Sequence, residues 1–377
     1  MLSANLVQSA TPPVIETTAF YAVLIAPRYP VDSGVLLIHT IGKVLTMMIT
    51  MFSPYLQARR IFLVLLSTVV LTACGDSGDG SRRDNIMEDL NASPLMGCAD
   101  SNSCVSNPPL VLDAERPAQA QIPVDYDVNT RYPLVIVLHG LGANGRIQSL
   151  YFGLVDRVDS EQFILVAPDG KVNSQGRNFW NANEVCCATS PEDREVDDAG
   201  YIRGLIEEAA ATYSIDPGRV GLIGHSNGGF MSLRLACDTS ELVTSVVSLA
   251  GATYNDAAQC APATNPVSVL LLHGTADDTV FYEGIPGAYP SALEAAQRFA
   301  ELAECDMENP TMPANQDLVT SLPGPETEVL SYQSCAPGVD VELRTLVDGP
   351  HIPGPWEPAG LDSMLDWLLS HDRQEWR

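Results

Sequence analysis

The chain has 377 residues and a formal net charge of −27, with 47 acidic side chains against 20 basic ones. A surface this acidic disfavours binding to nucleic acids and to anionic membranes. The part of the chain from residue 108 onward has about 270 residues, which is enough for one large buried core.

A signal sequence is predicted over residues 51–73. A basic start is followed by an apolar run over residues 61–72, which is too short to span a bilayer comfortably. The run ends in Leu-Thr-Ala-Cys, which resembles a bacterial lipobox and predicts Cys74 as the lipid-bearing N-terminus of the mature protein. An ordinary secretory cleavage site nearby is the alternative. Both interpretations predict export.

Residues 1–50 precede this signal sequence, although a signal sequence acts at an N-terminus. We therefore expect translation to start at Met51 (or Met47 or Met48) and residues 1–50 to be missing from the product. Residues 74–107 are rich in Gly, Ser, Asp and Asn, which predicts a flexible tether. The catalytic domain is predicted over residues 108–377.

Strand-like apolar runs alternate with helical stretches in this domain, which predicts an α/β fold with a doubly wound, mainly parallel sheet. Helices are predicted over residues 200–213 and 291–302. Only 25 residues separate Gly251 from Asp277, so we expect no large cap domain and an open cleft. The predicted strands are 133–138, 163–167, 220–224, 245–249, 267–273 and 341–347.

Three features follow the early strands. The glycine-rich loop around Leu141 is expected to turn the Leu141 backbone N–H toward a reacting oxygen, and it lacks the glycine spacing and the lysine of a phosphate-binding loop. Trp180 lies on a later loop and is predicted to contact substrate, with core packing as the alternative. Asp197 and Asp198 precede a helix and are predicted to cap it, with a metal site as the alternative.

The most informative motif is Gly224-His225-Ser226-Asn227-Gly228, which lies between an apolar strand and a helical stretch. This context is typical of a sharp strand-to-helix turn that exposes a nucleophilic serine. Ser226 is therefore the predicted nucleophile, and the backbone N–H of Asn227 is the second predicted oxyanion donor. An ordinary turn serine is the alternative.

A serine hydroxyl needs a histidine to take its proton and an acid to orient that histidine. Asp277 comes just after the strand 267–273, and His351 comes just after the strand 341–347. Because the carboxyl ends of parallel strands carry the ligand sites of such sheets, these residues are the predicted acid and base.

Other residues compete for these roles. Asp278 is the alternative acid, since it adjoins Asp277. His273 ends a strand and is expected to be structural. His371 has no strand before it and is expected to be a solvent-exposed histidine at a helix end.

The chain has nine cysteines, and eight remain when Cys74 is set aside, an even number typical of an oxidising compartment. We expect Cys98 to pair with Cys104 and Cys305 with Cys335. A metal site is the alternative, but there is no Cys-x-x-Cys, so no metal or other cofactor is expected. The four remaining cysteines are expected to pair among themselves: Cys186, Cys187, Cys237 and Cys260.

Further motifs occur in order between residues 108 and 370. They are His139-Gly140-Leu141-Gly142, Asn178-Phe179-Trp180-Asn181, Cys186-Cys187, Val196-Asp197-Asp198, Arg234-Leu235-Ala236-Cys237 and His273-Gly274-Thr275-Ala276-Asp277. With the serine motif they resemble the polyhydroxybutyrate depolymerase and feruloyl esterase group of α/β-hydrolases, of the exported lipoprotein type. That group usually shows Gly-Gly-Gly-His followed by Trp-Pro-Gly. Here His351 is present and the aromatic residue after it is not.

The resemblance implies an α/β-hydrolase fold and an exported serine esterase that cleaves short-chain, hydroxyalkanoate-oligomer, feruloyl or acetyl esters without a cofactor. A serine peptidase of the same fold is the first alternative, and a non-catalytic binding module is the second. No repeat of propeller length is visible and no triad residue is missing. The expected partners are a small or oligomeric ester and, through lipid at Cys74, a membrane. We expect a monomer that is periplasmic, on the cell surface or secreted.

Overall fold

The computed structural model describes residues 97–101, 103–260 and 265–373. Ten of the strands in these residues form one sheet, and two form a separate hairpin. The strands are β1 Val111–Leu112, β2 Ala118–Gln121, β3 Tyr132–Leu138, β4 Ile164–Ala167, β5 Lys171–Val172, β6 Asn178–Phe179, β7 Ile215–His225, β8 Ser245–Leu249, β9 Ser268–Gly274, β10 Asp306–Thr311, β11 Thr327–Gln333 and β12 Val341–Leu346.

The strand order in the large sheet is β1-β2-β4-β3-β7-β8-β9-β12-β11-β10, and β5 pairs with β6 in the hairpin. Helices connect most of the central strands. They are α1 Cys98–Ser101, α2 Gly145–Tyr151, α3 Val158–Glu161, α4 Pro191–Arg194, α5 Asp198–Thr212, α6 Asn227–Asp238, α7 Ala292–Leu302 and α8 Pro358–Ser370.

The six central strands of the sheet, from β4 to β12 in spatial order, run parallel to one another. They correspond to the six runs predicted as strands, and α5 and α7 correspond to the two predicted helices. The predicted fold class is confirmed: this is a doubly wound, mainly parallel sheet of the α/β-hydrolase type.

Antiparallel strands complete both edges of the sheet, and the sequence did not predict them. β1 and β2 add to β4 on one edge, while β11 and β10 add to β12 on the other. β10 reads Asp-Met-Glu-Asn-Pro-Thr and is largely exposed, so it lacks the apolar alternation that marks a strand. An edge strand of this kind is specified by its neighbour in the sheet.

Apolar side chains cover both faces of the sheet, because successive residues of each strand point to opposite sides. In β3, Leu134 and Ile136 pack into one buried cluster with residues of α5, α6 and α7. Val135 and Val137 pack into a second cluster with residues of α8. Burial on both faces explains why the central strands read as continuous apolar runs.

Four disulfides join the eight cysteines of the described residues. Cys98 bonds Cys104 and Cys305 bonds Cys335, as predicted. The expectation that the other four pair among themselves is also confirmed. Their pairs are Cys186 with Cys187 and Cys237 with Cys260.

The two aspartates before α5 have different roles. Asp197 is the cap that the sequence predicted, since its carboxylate accepts a hydrogen bond from the Gly200 N–H at 2.8 Å. Asp198 is fully buried and forms an ion pair with Arg116 at 2.6 Å, so it does not act as a cap. Within the described ranges, no group of three or more His, Cys, Asp and Glu side chains could hold a metal ion.

Predictions for the N-terminal region, including the signal sequence, Cys74 and most of the tether, lie outside the described residues. Each helix of the described residues is too short or too polar to span a bilayer. The described residues between β8 and β9 contain one short 3-10 turn, Ala257–Gln259, and no helix that could form a cap.

Candidate active site

Ser226 lies at the sharp turn between β7 and α6. Its backbone has φ 54° and ψ −119°, a conformation that a non-glycine residue adopts at a cost in strain. Glycines make the turn possible, because a Cβ at Gly228 would lie 2.1 Å from the carbonyl oxygen of Leu138. A Cβ at Gly224 would lie 2.2 Å from the carbonyl oxygen of Gly228. The elbow geometry expected from the motif is therefore present.

Two hydrogen bonds connect Ser226, His351 and Asp277. The Ser226 Oγ–H donates to His351 Nε2 at 2.9 Å, and the His351 Nδ1–H donates to Asp277 Oδ2 at 2.8 Å. The carboxylate fixes the tautomer, since an ionised oxygen can accept a proton but cannot donate one. His351 Nε2 is left with a lone pair that faces the serine hydroxyl. Of the three residues that the sequence predicted as a triad, His351 thus lies within hydrogen-bonding distance of both Ser226 and Asp277.

The Asp277 side chain is fully buried and well supplied with donors. Its Oδ1 accepts hydrogen bonds from the backbone N–H groups of Thr279 at 2.9 Å and Val280 at 2.8 Å. Burial alone would raise the pKa of this carboxyl, but hydrogen bonds from His273, from His351 and from those two N–H groups hold the pKa well below its usual range. Asp277 is therefore ionised at neutral pH.

The neighbouring residue Asp278 does not reach His351. It is exposed, and its Oδ1 accepts a hydrogen bond from the Thr279 hydroxyl at 3.2 Å. Of the two candidate acids, the structure brings Asp277 to the histidine.

Two other histidines make contacts that the sequence did not predict. His273, expected to be structural, places Nε2 3.3 Å from Asp277 Oδ2 and 2.7 Å from the carbonyl oxygen of Val280. It therefore contacts the acid of the proposed triad, which sequence reasoning missed. His371, expected to be exposed, is buried at the end of α8 with Nε2 3.1 Å from Asp340 Oδ2. The expectation of an exposed His371 was wrong, because the contact with Asp340 joins residues that are 31 positions apart in the sequence.

The two predicted oxyanion donors are the backbone N–H groups of Asn227 and Leu141. Asn227 is the first residue of α6, so its N–H is one of those that a helix leaves without an internal partner. Leu141 follows β3 on the neighbouring loop. Among the described residues, neither N–H has a hydrogen-bond acceptor. The N–H groups of Leu141 and Asn227 remain the predicted oxyanion donors.

Trp180 does not contact substrate as predicted, because its side chain is fully buried with 0% exposure. Its backbone N–H donates to Asn227 Oδ1 at 2.7 Å, and its carbonyl oxygen accepts from Asn227 Nδ2 at 2.9 Å. Its indole N–H donates to the carbonyl oxygen of His139 at 3.0 Å. Trp180 instead connects the first residue of α6 to the loop that carries Leu141, which is a positioning role.

Comparison with known proteins identifies the family. The Esterase family model, described as "Putative esterase", matches residues 111–301. The chain belongs to this esterase family. The matched region contains Ser226 and Asp277, and the protein is a carboxylic ester hydrolase.

Similar proteins agree with this assignment. "Feruloyl esterase D" of Neurospora crassa is 26% identical to the esterase over 72% of this chain and 90% of that protein. "Putative esterase NocK" of Nocardia uniformis is 31% identical over 41% of this chain, and the match spans 43% of that protein, less than half its length. The solved structure "Acetyl xylan esterase from Aspergillus awamori" has a TM-score of 0.50 and 14% identity, and the match covers 67% of this chain and 93% of that one. The esterase is thus a feruloyl-esterase-like α/β-hydrolase, and the predicted resemblance to that group is confirmed.

His225 of the esterase supports the loop that carries His351. Its Nε2–H donates to the backbone carbonyl oxygen of His351 at 2.9 Å, and the two imidazole rings lie 5.1 Å apart. Burial lowers the pKa of His225 from 6.5 to about 4, because a charged imidazolium loses its hydration there. The sequence offered one signal for this role, the position of His225 next to the serine.

The stability of the esterase should fall as the pH decreases from 6.5 to about 4. In this window the unfolded chain binds a proton at His225 that the folded protein does not, so acid favours unfolding by about 3 kcal/mol for the whole window. We expect His225→Gln, whose amide N–H can still donate to His351, to lose about 3 kcal/mol less than wild type between pH 7 and pH 4. Urea unfolding at the two pH values measures this difference. Equal losses in the two proteins would show that His225 is not the group responsible.

Proposed function

We propose that this protein is an exported serine esterase in which Ser226 is the nucleophile, His351 the general base and Asp277 the acid that orients the histidine. One observation carries the proposal: the two hydrogen bonds of 2.9 and 2.8 Å that connect these side chains. Their order along the chain, Ser then Asp then His, is the order found in α/β-hydrolases. A serine placed in this way can attack the carbonyl carbon of an ester.

In the first half of the proposed reaction, Ser226 Oγ bonds to the carbonyl carbon while His351 Nε2 takes the hydroxyl proton. The carbonyl oxygen becomes an oxyanion, which the N–H groups of Leu141 and Asn227 can stabilise. When the intermediate collapses, the C–O bond to the alcohol breaks and His351 gives its proton to the leaving oxygen. An acyl group remains on Ser226 as an ester.

In the second half, water replaces the alcohol. His351 takes a proton from the water, whose oxygen attacks the acyl carbon, and the acid leaves as Ser226 regains its proton. The imidazolium that forms in each half lies 2.8 Å from the Asp277 carboxylate, which stabilises its charge. The reaction consumes one water, and the chain's own residues carry every proton.

We infer that the substrates are short-chain, feruloyl or acetyl esters or soluble hydroxyalkanoate oligomers. Support comes from the described connection between β8 and β9, which contains no cap that could bury a long acyl chain. Ile352, beside His351, is 63% exposed, and the aromatic residue that the group usually places after this histidine is missing. The names of the relatives, a feruloyl esterase and an acetyl xylan esterase, agree with esters of this size.

Export is proposed from the cysteines and from the N-terminal pattern. The four disulfides favour an oxidising compartment outside the cytoplasm. We propose residues 51–73 as the signal peptide, Cys74 as the lipidated residue and residues 108–377 as the catalytic domain. Residues 74–107 are the proposed tether, and its last part carries α1 and the Cys98–Cys104 disulfide. Fractionation of cells that produce wild type or Cys74→Ser tests the lipid anchor, which requires that the variant leave the membrane fraction.

A panel of substrates tests the proposed function with purified residues 75–377. We expect cleavage of 4-nitrophenyl acetate, methyl ferulate, acetylated xylan or the soluble trimer of hydroxybutyrate, and little cleavage of 4-nitroacetanilide, the amide analogue of the acetate. Crystalline polyhydroxybutyrate should be hydrolysed more slowly than its trimer, because ester bonds packed in a crystal reach the Ser226 hydroxyl less readily than those of a dissolved trimer. Faster cleavage of the amide than of the acetate would identify a peptidase-like enzyme. Faster clearing of the crystalline polymer than cleavage of the trimer would contradict the proposed substrate size.

A further inference from the structure

The turn of the β5–β6 hairpin places the side chain of Arg177 against the loop that carries Leu141. Gly142, the next residue of that loop, has φ +81°, and its N–H donates to the carbonyl oxygen of Asn178 in the hairpin at 2.8 Å. The position that a Cβ of Gly142 would take lies 3.7 Å from Cδ and 3.9 Å from Cγ of Arg177. The aliphatic part of the Arg177 side chain therefore lies against the residue next to the proposed oxyanion donor.

Side-chain hydrogen bonds hold this hairpin in place. Asn173 is buried, and its Oδ1 accepts from the backbone N–H groups of Gln175 at 3.0 Å and Arg177 at 3.1 Å. The Asn173 N–H donates in turn to the carbonyl oxygen of Arg177 at 2.8 Å. The backbone N–H of Ser174 donates to the Asp193 carboxylate at 3.1 Å. These hydrogen bonds fix the backbone of Arg177, although its side chain is exposed.

The charge of Arg177 is not neutralised by any carboxylate of the described residues. Its Nη2 donates to the neutral side-chain oxygen of Gln175 at 2.8 Å, and no carboxylate of the described residues lies within 4.0 Å of the guanidinium. Arg146 and Arg219 also form no such ion pair, so what distinguishes Arg177 is its position against the loop that carries Leu141. Six further arginines are paired with carboxylates: Arg116, Arg157, Arg203, Arg234, Arg298 and Arg344.

We propose that Arg177 binds an anionic group of the substrate, so that the preferred esters carry a carboxylate near the bond that is cleaved. The inference rests on the proposed function, because it concerns an ester bound at Ser226. A guanidinium forms two parallel hydrogen bonds with a carboxylate, and Gln175 orients Arg177 without cancelling its charge. The excess of acidic residues elsewhere on the chain repels anions, so this arginine provides local attraction where the ester binds.

Matched ester pairs test the inference on the full chain. In one pair the carboxylate is on the alcohol part, 4-acetoxybenzoate against its methyl ester. In the other it is on the acyl part, mono-4-nitrophenyl glutarate against its methyl ester. For each enzyme the measured quantity is kcat/KM for the anionic ester divided by kcat/KM for the neutral one, which cancels differences in expression and folding.

We expect Arg177→Gln to lower this ratio by about threefold to tenfold in at least one pair, through a higher KM for the anionic ester, as removal of a partly exposed charged contact does. Arg177→Lys keeps the charge and should restore part of the ratio. Arg146→Gln is the matched control, because Arg146 is also exposed and unpaired among the described residues but lines a cavity at the sheet edge with Gln121 and Leu165. Its ratio should stay at the wild-type value.

Two results would overturn the inference. One is an unchanged ratio for Arg177→Gln in both pairs while the neutral esters are still cleaved. The other is an equal fall in Arg177→Gln and Arg146→Gln, which would reflect net charge rather than a contact. If the wild-type protein cleaves none of these esters, the proposed function itself is contradicted. Failure of the inference about Arg177 and failure of the proposed function are therefore distinguishable.

Discussion

Replacing Ser226 with alanine should lower kcat on 4-nitrophenyl acetate by on the order of 10⁴-fold or more. The change removes the oxygen that bonds to the acyl group and leaves His351 with no hydroxyl proton to take. The N–H groups of Leu141 and Asn227 would remain, so activity slightly above the uncatalysed rate can persist. The measurement is steady-state hydrolysis of the ester at neutral pH, with circular dichroism and thermal unfolding to show that the fold is intact.

Ser232→Ala is a matched control for this variant. Ser232 is buried in α6, the helix that follows Ser226, and its hydroxyl donates to the carbonyl oxygen of Gly228 at 2.9 Å. We expect a loss of about 1 kcal/mol in the free energy of unfolding and a kcat within about threefold of wild type. A folded Ser226→Ala protein that keeps more than a tenth of the wild-type kcat would show that Ser226 is not the nucleophile.

Local sequence patterns were enough to predict the part of the site that depends on chain order. The apolar run of β7, the glycines at 224 and 228 and the helix after them specify the turn at Ser226, because all act within a few residues. Asp277 and His351 were found because each follows a strand, and parallel strands end at one edge of a sheet. Their mutual distances came from the structure.

Contacts between distant segments could not be predicted in this way. Trp180 is an aromatic residue on a loop. Its sequence neighbours do not show that the side chain of Asn227, 47 residues later, forms hydrogen bonds with both its backbone N–H and its carbonyl oxygen. His273 and His225 acquire their roles from the carboxylate of Asp277 and the carbonyl oxygen of His351, which only the folded chain brings near. A sequence pattern shows which elements form, while these positioning contacts depend on how the elements pack.

The cysteines illustrate the same limit. Cys98 and Cys104 are close in sequence, so their pairing followed from spacing. The set of Cys186, Cys187, Cys237 and Cys260 could be identified by elimination, but spacing alone did not choose among its pairings. The structure pairs Cys186 with its neighbour and Cys237 with a residue 23 positions later.

Asp277→Asn should lower kcat on the same ester by on the order of 10⁴-fold. Asp277 Oδ1 accepts from two backbone N–H groups, so an asparagine would keep its carbonyl oxygen there and turn its NH₂ toward His351. The amide would then donate to His351 Nδ1, which forces the imidazole proton onto Nε2. An imidazole with a proton on Nε2 cannot take the proton of Ser226.

Asp278→Asn makes the same chemical change one residue away and serves as the control. Asp278 is exposed and its carboxylate accepts a hydrogen bond from the Thr279 hydroxyl, so we expect kcat to stay within about threefold of wild type. Both variants should keep nearly the same KM if binding of the ester does not involve the carboxylates. A large loss for Asp278→Asn with a small one for Asp277→Asn would move the acid by one position. Equal, small losses would mean that neither carboxylate sets the tautomer of His351, and the proposed triad would reduce to a serine and a histidine.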